Sequence, residues 1–411
     1  MQDLSWFLPA WPLQFGDLAV FGALLVAGLL GGELANRIAA LPRITGYVLV
    51  GFACGPHALD LVHAPLFAGA RVFVDLALGL IVFELGHRFD LDWLARNRWL
   101  ALAAVGESLG AFFAIYAGLL YFDYPTLLAA CAAAVGAATS PAVVMVVSHE
   151  LRASGQITER LMLFTAVNCV FAYVMLMLFM PLVHLQHETS WRSAILHPLY
   201  LLVGAVFLGF AGSQLLLWFA KWLGKREDRQ FILLVALVVL VVGVARTLNL
   251  PVVVSLLALG MFARNLDYDH ALLPLRFGYA GQLLFVVLFV LSGASLDFTG
   301  LETVALVTAV FVVTRFLGKA VAILVLGKLS GMRTGGAGLL SVALLPMSGL
   351  AVVMIYDTAA IYPRFGAELA AVVLSAVALL EVIGPLATQF ALRKAGETHP
   401  EEARAGEARV S

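Results

Sequence analysis

The sequence predicts an all-α polytopic membrane protein of about thirteen transmembrane helices, each long enough for the hydrocarbon layer. Three observations carry this. Of 411 residues, 62% are hydrophobic and 12% charged, with a mean hydropathy of +0.98. That is half the charged share with which soluble domains cover themselves. The apolar residues fall in runs of roughly 20, the length at which a helix crosses about 30 Å of hydrocarbon. Where no water is at hand, a bundle of helices is the practical way to satisfy every backbone group. Finally, two runs, one in each half of the chain, are interrupted by proline, glycine and hydroxyl residues.

Taken in order, the spans fall at about 18–38, 44–61, 68–86, 98–122, 125–148, 157–184, 195–222, 228–247, 251–264, 271–294, 302–327, 334–360 and 365–392. Residues 1–17 contain no Lys or Arg, so they lack the basic start of a cleavable signal peptide. They read as an extracytoplasmic N-terminus. Residues 18–392 form a single transmembrane domain, and residues 393–411 a charged, disordered cytoplasmic tail. The basic residues supply an independent check. Of the 25 Lys and Arg, Arg315 and Lys319 lie within a span, and Arg71, Arg192, Arg246 and Arg364 fall on one side; the remaining 19 fall on the other. The positive-inside rule then places the N-terminus outside and the C-terminus in the cytoplasm of an inner (plasma) membrane.

Composition also excludes partners. A net charge of −1 argues against nucleic acid, and Cys54, Cys131 and Cys169 sit in apolar runs with no disulfide or metal-ligand spacing. No cofactor or metal is expected. An intramembrane enzyme is poorly supported, because the nine His are scattered and neither HExxH nor GxSxG is expected in any span.

Charges inside hydrocarbon are costly and ask for a reason. Arg315 and Lys319, four residues apart, share a helix face. That face either lines an ion cavity, or Arg315 pairs with a carboxylate while Lys319 snorkels to the boundary. The deep carboxylates Glu107 and Glu381 are each a candidate partner for Arg315 or a proton carrier. The interruptions are Gly136-Ala137-Ala138-Thr139-Ser140-Pro141 and Leu345-Pro346-Met347-Ser348-Gly349. Proline removes a backbone donor and frees a carbonyl one turn back, so paired breaks point to discontinuous helices at a midplane site. Asn168-Cys169 adds a polar amide and a thiol within a span. Taken alone, that pair reads as a helix contact.

Together these fragments resemble the cation:proton antiporter superfamily, nearest its monovalent cation:proton antiporter-2 branch, which includes the membrane part of glutathione-gated potassium efflux systems. The resemblance spans about residues 18–392. It rests on GYVLVGFACGP, GAATSPAVVMVVSHELRASGQITE with the following Asn168, FVLSGASLDFTGL, LLPMSGLAVVMIYD and LLEVIGPLATQFAL. It implies inverted repeats, two crossed discontinuous helices, a homodimer, and exchange of Na⁺ or K⁺ for protons by alternating access.

Carried over, Thr139, Ser140 and Pro141, and Pro346, Ser348 and Gly349, match the breaks; Lys319 or Arg315 matches the basic residue of the core. Asn168-Cys169 matches a polar pair whose second member is ordinarily an ion-binding aspartate. Here it is a thiol, a soft group poorly suited to Na⁺ or K⁺. The ion and proton pathway is therefore assigned to Thr139, Ser140, Asn168, Cys169, Glu107, Arg315, Lys319 and Ser348. Three outcomes follow. Glu107 carries the proton, Cys169 titrates beside Arg315 or Lys319, or coupling is lost. The last leaves a sensor, an accessory subunit or a transporter not coupled to protons.

Overall fold

A computed structural model describes residues 16–62, 64–185, 191–273, 278–296, 301–347, 349–361 and 363–398. All its regular elements are helices: α1 (Asp17–Ala39), α2 (Arg43–Cys54), α3 (Ala64–His87), α4 (Leu91–Arg96), α5 (Arg98–Tyr121), α6 (Thr126–Ala137), α7 (Pro141–Glu150), α8 (Gln156–Leu185), α9 (Trp191–Leu223), α10 (Glu227–Thr247), α11 (Val252–Asn265), α12 (Gly278–Ala294), α13 (Leu301–Leu329), α14 (Thr334–Ala343), α15 (Gly349–Ile361) and α16 (Pro363–Lys394).

Each expected span holds one helix or one broken pair, α6–α7 and α14–α15. Among the described residues, eight segments are long and apolar enough to cross a membrane unaided, and four further apolar helices are shorter. Two differences have local causes. The second span was expected to reach 61, but α2 stops at Cys54, because Pro56 keeps Gly55 extended. The six-residue α4 is too short to show a period and was not expected.

The helices sort into two groups. One packs α1, α2 and α12 together and joins them through α3 to α9, α10 and α11; the other packs α5, α6, α8, α13, α14, α15 and α16. Apart from α9, each half of the chain thus supplies three helical segments to the first group and then three to the second. The middle segment of each second set is broken. This is the inverted-repeat arrangement. The α6–α7 segment lies at the centre of the second group, and its most apolar window is wholly buried. Its run of alanines, TLLAACAAAVGA, lets neighbouring helices approach closely on all sides.

At the basic-rich end, polar contacts tie α7 to the first group. Glu84 on α3 is hydrogen-bonded to His149 Nε2 at 2.9 Å and accepts from Arg88 at 3.2 Å. The Glu150 carboxylate takes the Arg43 backbone N–H at 3.0 Å, at the amino end of α2.

Candidate functional site: a charged knot at the crossing of two broken helices

The geometry starts from glycine. A Cβ on Gly318 of α13 would lie 2.3 Å from the Gly110 carbonyl oxygen, and one on Gly110 of α5 would lie 2.7 Å from the Gly318 carbonyl. The two backbones are therefore in contact. That closeness brings Glu107, one turn from Gly110, against Lys319, the neighbour of Gly318. Gly318→Ala is expected to force the helices apart, at about 1–3 kcal/mol for overpacking a site that cannot relax. Thermal unfolding in detergent would read the loss.

Arg315 is wholly buried and bonds to backbone alone among the described residues. Its Nε donates to Gly136 O at 2.7 Å and its Nη2 to Ala138 O at 2.7 Å, both at the end of α6. Nη1 reaches Leu345 O at 2.8 Å, and Nη2 adds Leu344 O and Pro346 O at 3.4 and 3.3 Å, all past the end of α14. Carboxy-terminal helix ends carry unpaired carbonyls and a partial negative charge. One guanidinium, with five donors in a planar fork, thus neutralises two such ends at once. The expected pairing of Arg315 with Glu107 or Glu381 is overturned. The breaks themselves satisfy its donors, and Glu381 instead accepts from Ser292 of α12 at 2.5 Å.

Lys319 is equally buried and does not snorkel. Its ammonium makes a 2.5 Å ion pair with Glu107 Oε1 and donates to Ala137 O at 3.1 Å and Thr139 Oγ1 at 3.2 Å. Asn168 of α8 joins the same knot. Its Nδ2 donates to Thr139 Oγ1 at 2.9 Å and to Glu107 Oε1 at 3.4 Å, and its Oδ1 accepts from Ser108 Oγ at 2.6 Å. Asn168 thus ties α8 to α5 and to the first break through side-chain hydrogen bonds. Thr139 Oγ1 in turn donates to Leu344 O at 3.4 Å, which links the two breaks. Within the knot, Glu107 Oε2 is buried without a hydrogen-bond partner among the described residues.

Cys169 is buried beside this network. Its thiol donates to Thr139 O at 3.5 Å, so it caps a carbonyl of the first break.

Thr139, Asn168, Cys169, Glu107, Arg315 and Lys319 therefore converge as one cluster. Ser140 serves the backbone. Its N–H donates to Pro346 O at 3.0 Å, joining break to break, and its Oγ accepts from Val143 N as the cap of α7. Pro141 occupies the first turn of α7, where its missing N–H costs nothing. Pro346 supplies a carbonyl to the crossing, and Gly349 opens α15. Ser348 lies outside the described residues.

Ser108 was missed, although a hydroxyl beside a buried carboxylate was a readable signal. The expectation that no span holds a GxSxG pattern is also corrected, since Gly106-Glu107-Ser108-Leu109-Gly110 spells that pattern of hydrolases. Here it lies within an unbroken helix with Ser108 bonded to Asn168, not on the strand-to-helix elbow that exposes a nucleophile.

With this geometry in hand, the chain can be set beside known proteins. A family model described as "Sodium/hydrogen exchanger, transmembrane" matches residues 21–394. The fold is similar to a structure of the sodium proton antiporter MjNhaP1 from Methanocaldococcus jannaschii at pH 8. The TM-score is 0.64 at 16% identity, over 92% of this chain and 95% of that one. An electron-microscopy map of the same antiporter matches with a TM-score of 0.63 at 15% identity, over the same shares. No curated protein matches the chain in sequence.

Proposed function

Because the chain belongs to the sodium/hydrogen exchanger transmembrane family, we propose that it exchanges a monovalent cation, Na⁺ or K⁺, for protons by alternating access, with Glu107 as the ion-carrying carboxylate. One observation supports this reading above the others. Glu107 is the acid of the crossing, it is paired with Lys319, and its second oxygen is unpartnered.

The chemistry follows from the groups present. Glu107 Oε2, Thr139 Oγ1 and nearby backbone carbonyls are hard oxygen donors of the kind alkali cations prefer. A cation entering at Glu107 competes with the Lys319 ammonium for the same carboxylate. If Lys319 gives up a proton as the cation arrives and regains one as it leaves, the charge buried in the knot stays constant. Desolvating an extra charge is thereby avoided. The second helical group would then move against the first as the carrier, and a homodimer built on the first group would hold the frame still. The basic-rich end faces the cytoplasm in this reading, and the protein resides in the inner membrane.

Cys169 stands where relatives of the resembled branch ordinarily hold an aspartate. Its bond to a carbonyl gives it a structural task, so the acid of the site sits on α5 instead of α8. Proteoliposomes loaded with a pH-sensitive dye test this. Wild type and Cys169→Ala should both move protons on addition of Na⁺ or K⁺. Silence in wild type with a response in Cys169→Asp would sink the exchange reading and establish the second one, an antiporter fold kept as a sensor or accessory subunit. That second reading draws on the same departure, the thiol at position 169.

A further inference from the structure

α8 begins without a cap of its own. The residue before Gln156 is Gly155, which has no side chain to offer the first amides of the helix. The amides are met from 240 residues away. Glu397 Oε1 accepts from Ile157 N at 2.8 Å, and Oε2 accepts from Thr158 N at 2.7 Å and Thr158 Oγ1 at 2.8 Å. The Ser154 N–H donates to the Glu397 backbone oxygen at 2.9 Å. Four bonds thus fix one tail residue to the turn between α7 and α8.

The chain is shaped to bring Glu397 there. Gly396 adopts the left-handed conformation (φ 72) just past α16, and its N–H and that of Glu397 bond back to Arg393 O and Leu392 O. This is a glycine-terminated helix end that folds the next residue back against the bundle. On the receiving side Gly155 has φ 153, and a Cβ there would meet the Glu397 carboxyl carbon at 2.3 Å. Room for the carboxylate exists because Gly155 carries no side chain. One turn along α8, Arg160 donates to Ser330 O in the turn before α14. The clip therefore gathers three points around the broken helices: the exit of α7, the entry to α14, and the end of α16.

We propose that Glu397 is a positioning residue of the ion site, through which the C-terminal tail sets the placement of α8 and hence of Asn168 and Cys169. A carboxylate at a helix amino end both satisfies free amides and complements the dipole. Thr158 and Asn168 are ten residues apart on one unbroken helix, about 15 Å at 1.5 Å per residue. A shift at the clip reaches the knot as a rigid-body movement, because α8 contains no hinge between them.

The kinetic consequence rests on the exchange reading, but the positional one does not, so two readouts separate them. In liposomes, the labelling rate of each cysteine by a maleimide would be followed by mass spectrometry in full-length wild type, Glu397→Ala and Thr158→Val. Cys169 lies on α8, and Cys131, equally buried on α6, serves as the control. Both variants are expected to speed Cys169 labelling several-fold and leave Cys131 unchanged. Where wild type exchanges cations, they should raise the cation KM more than they lower turnover. An unchanged Cys169 rate, or equal acceleration at Cys131, overturns the proposal, because either means a cap that merely stabilises. If Glu397→Ala fails to fold, Thr158→Val, which removes one of the four bonds, decides alone. A silent wild type would defeat the exchange reading and leave the labelling result to decide the clip.

Discussion

Glu107→Gln is expected to abolish cation-driven proton movement in proteoliposomes and to destabilise the protein. The abolition follows from charge. A neutral amide brings no negative charge to balance an alkali cation, and it cannot trade a proton near neutral pH. The destabilisation follows from Lys319, which is left charged and buried with Ala137 O, Thr139 Oγ1 and a neutral amide as its hydrogen-bond partners. Removing one partner of a buried pair costs about 3–5 kcal/mol. The double variant Glu107→Gln/Lys319→Met separates the two effects. Stability, followed as the thermal midpoint in detergent, should recover most of the loss, since an apolar replacement of a whole buried pair is often neutral. Flux should not recover. Wild-type flux in Glu107→Gln would remove this residue from the mechanism and return attention to the thiol.

Arg315→Ala carries the second large effect, and it falls on folding. Arg315 donates to five carbonyls at the ends of α6 and α14, and four of those bonds come from two nitrogens. Alanine removes that donor from all five; Leu344 O and Pro346 O keep Thr139 and Ser140, but Gly136 O, Ala138 O and Leu345 O lose it in a dry interior, where an unsatisfied group costs about 1–3 kcal/mol. It also leaves two helix ends of like partial charge facing each other. The expected outcome is loss of folded protein, seen as aggregation on size-exclusion chromatography. Arg315→Lys should be intermediate, because an ammonium keeps the charge but its three donors cannot span both ends. A thermal midpoint for Arg315→Ala equal to wild type would show that the crossing does not depend on this side chain.

These two residues mark where reading the sequence succeeded and where it stopped. Both were legible as buried charges because hydrocarbon makes any charge conspicuous, and both breaks were legible because proline cannot donate a backbone bond. The partners were not. One reading placed Arg315 beside a carboxylate, since opposite charges pair most simply, and it bonds instead to carbonyls that the breaks expose. No string of letters displays a free carbonyl. Glu107 and Glu381 looked alike, each a lone acid in an apolar run. The first meets Lys319 and the second meets Ser292. That difference depends on the Gly110–Gly318 contact between α5 and α13, which is a property of two helices and not of either one.

The tail shows the same division. Its charge and lack of apolar residues marked it as separate from the membrane domain. Glu397 nonetheless sits within hydrogen-bond reach of Ile157 and Thr158, because Gly155 left the start of α8 open.

What the sequence determined by itself is the helical, membrane-embedded class, the two breaks and the residues that carry charge between them. These follow from local chemistry: the length of apolar runs, the missing donor of proline and the cost of a charge in lipid. Only the tertiary structure decided which charge faces which acceptor, that Glu107 on α5 meets Lys319 on α13, and that Cys169 caps a carbonyl. Such pairings are set by how closely distant helices approach, and that distance is written in packing at glycine contacts rather than in any one segment.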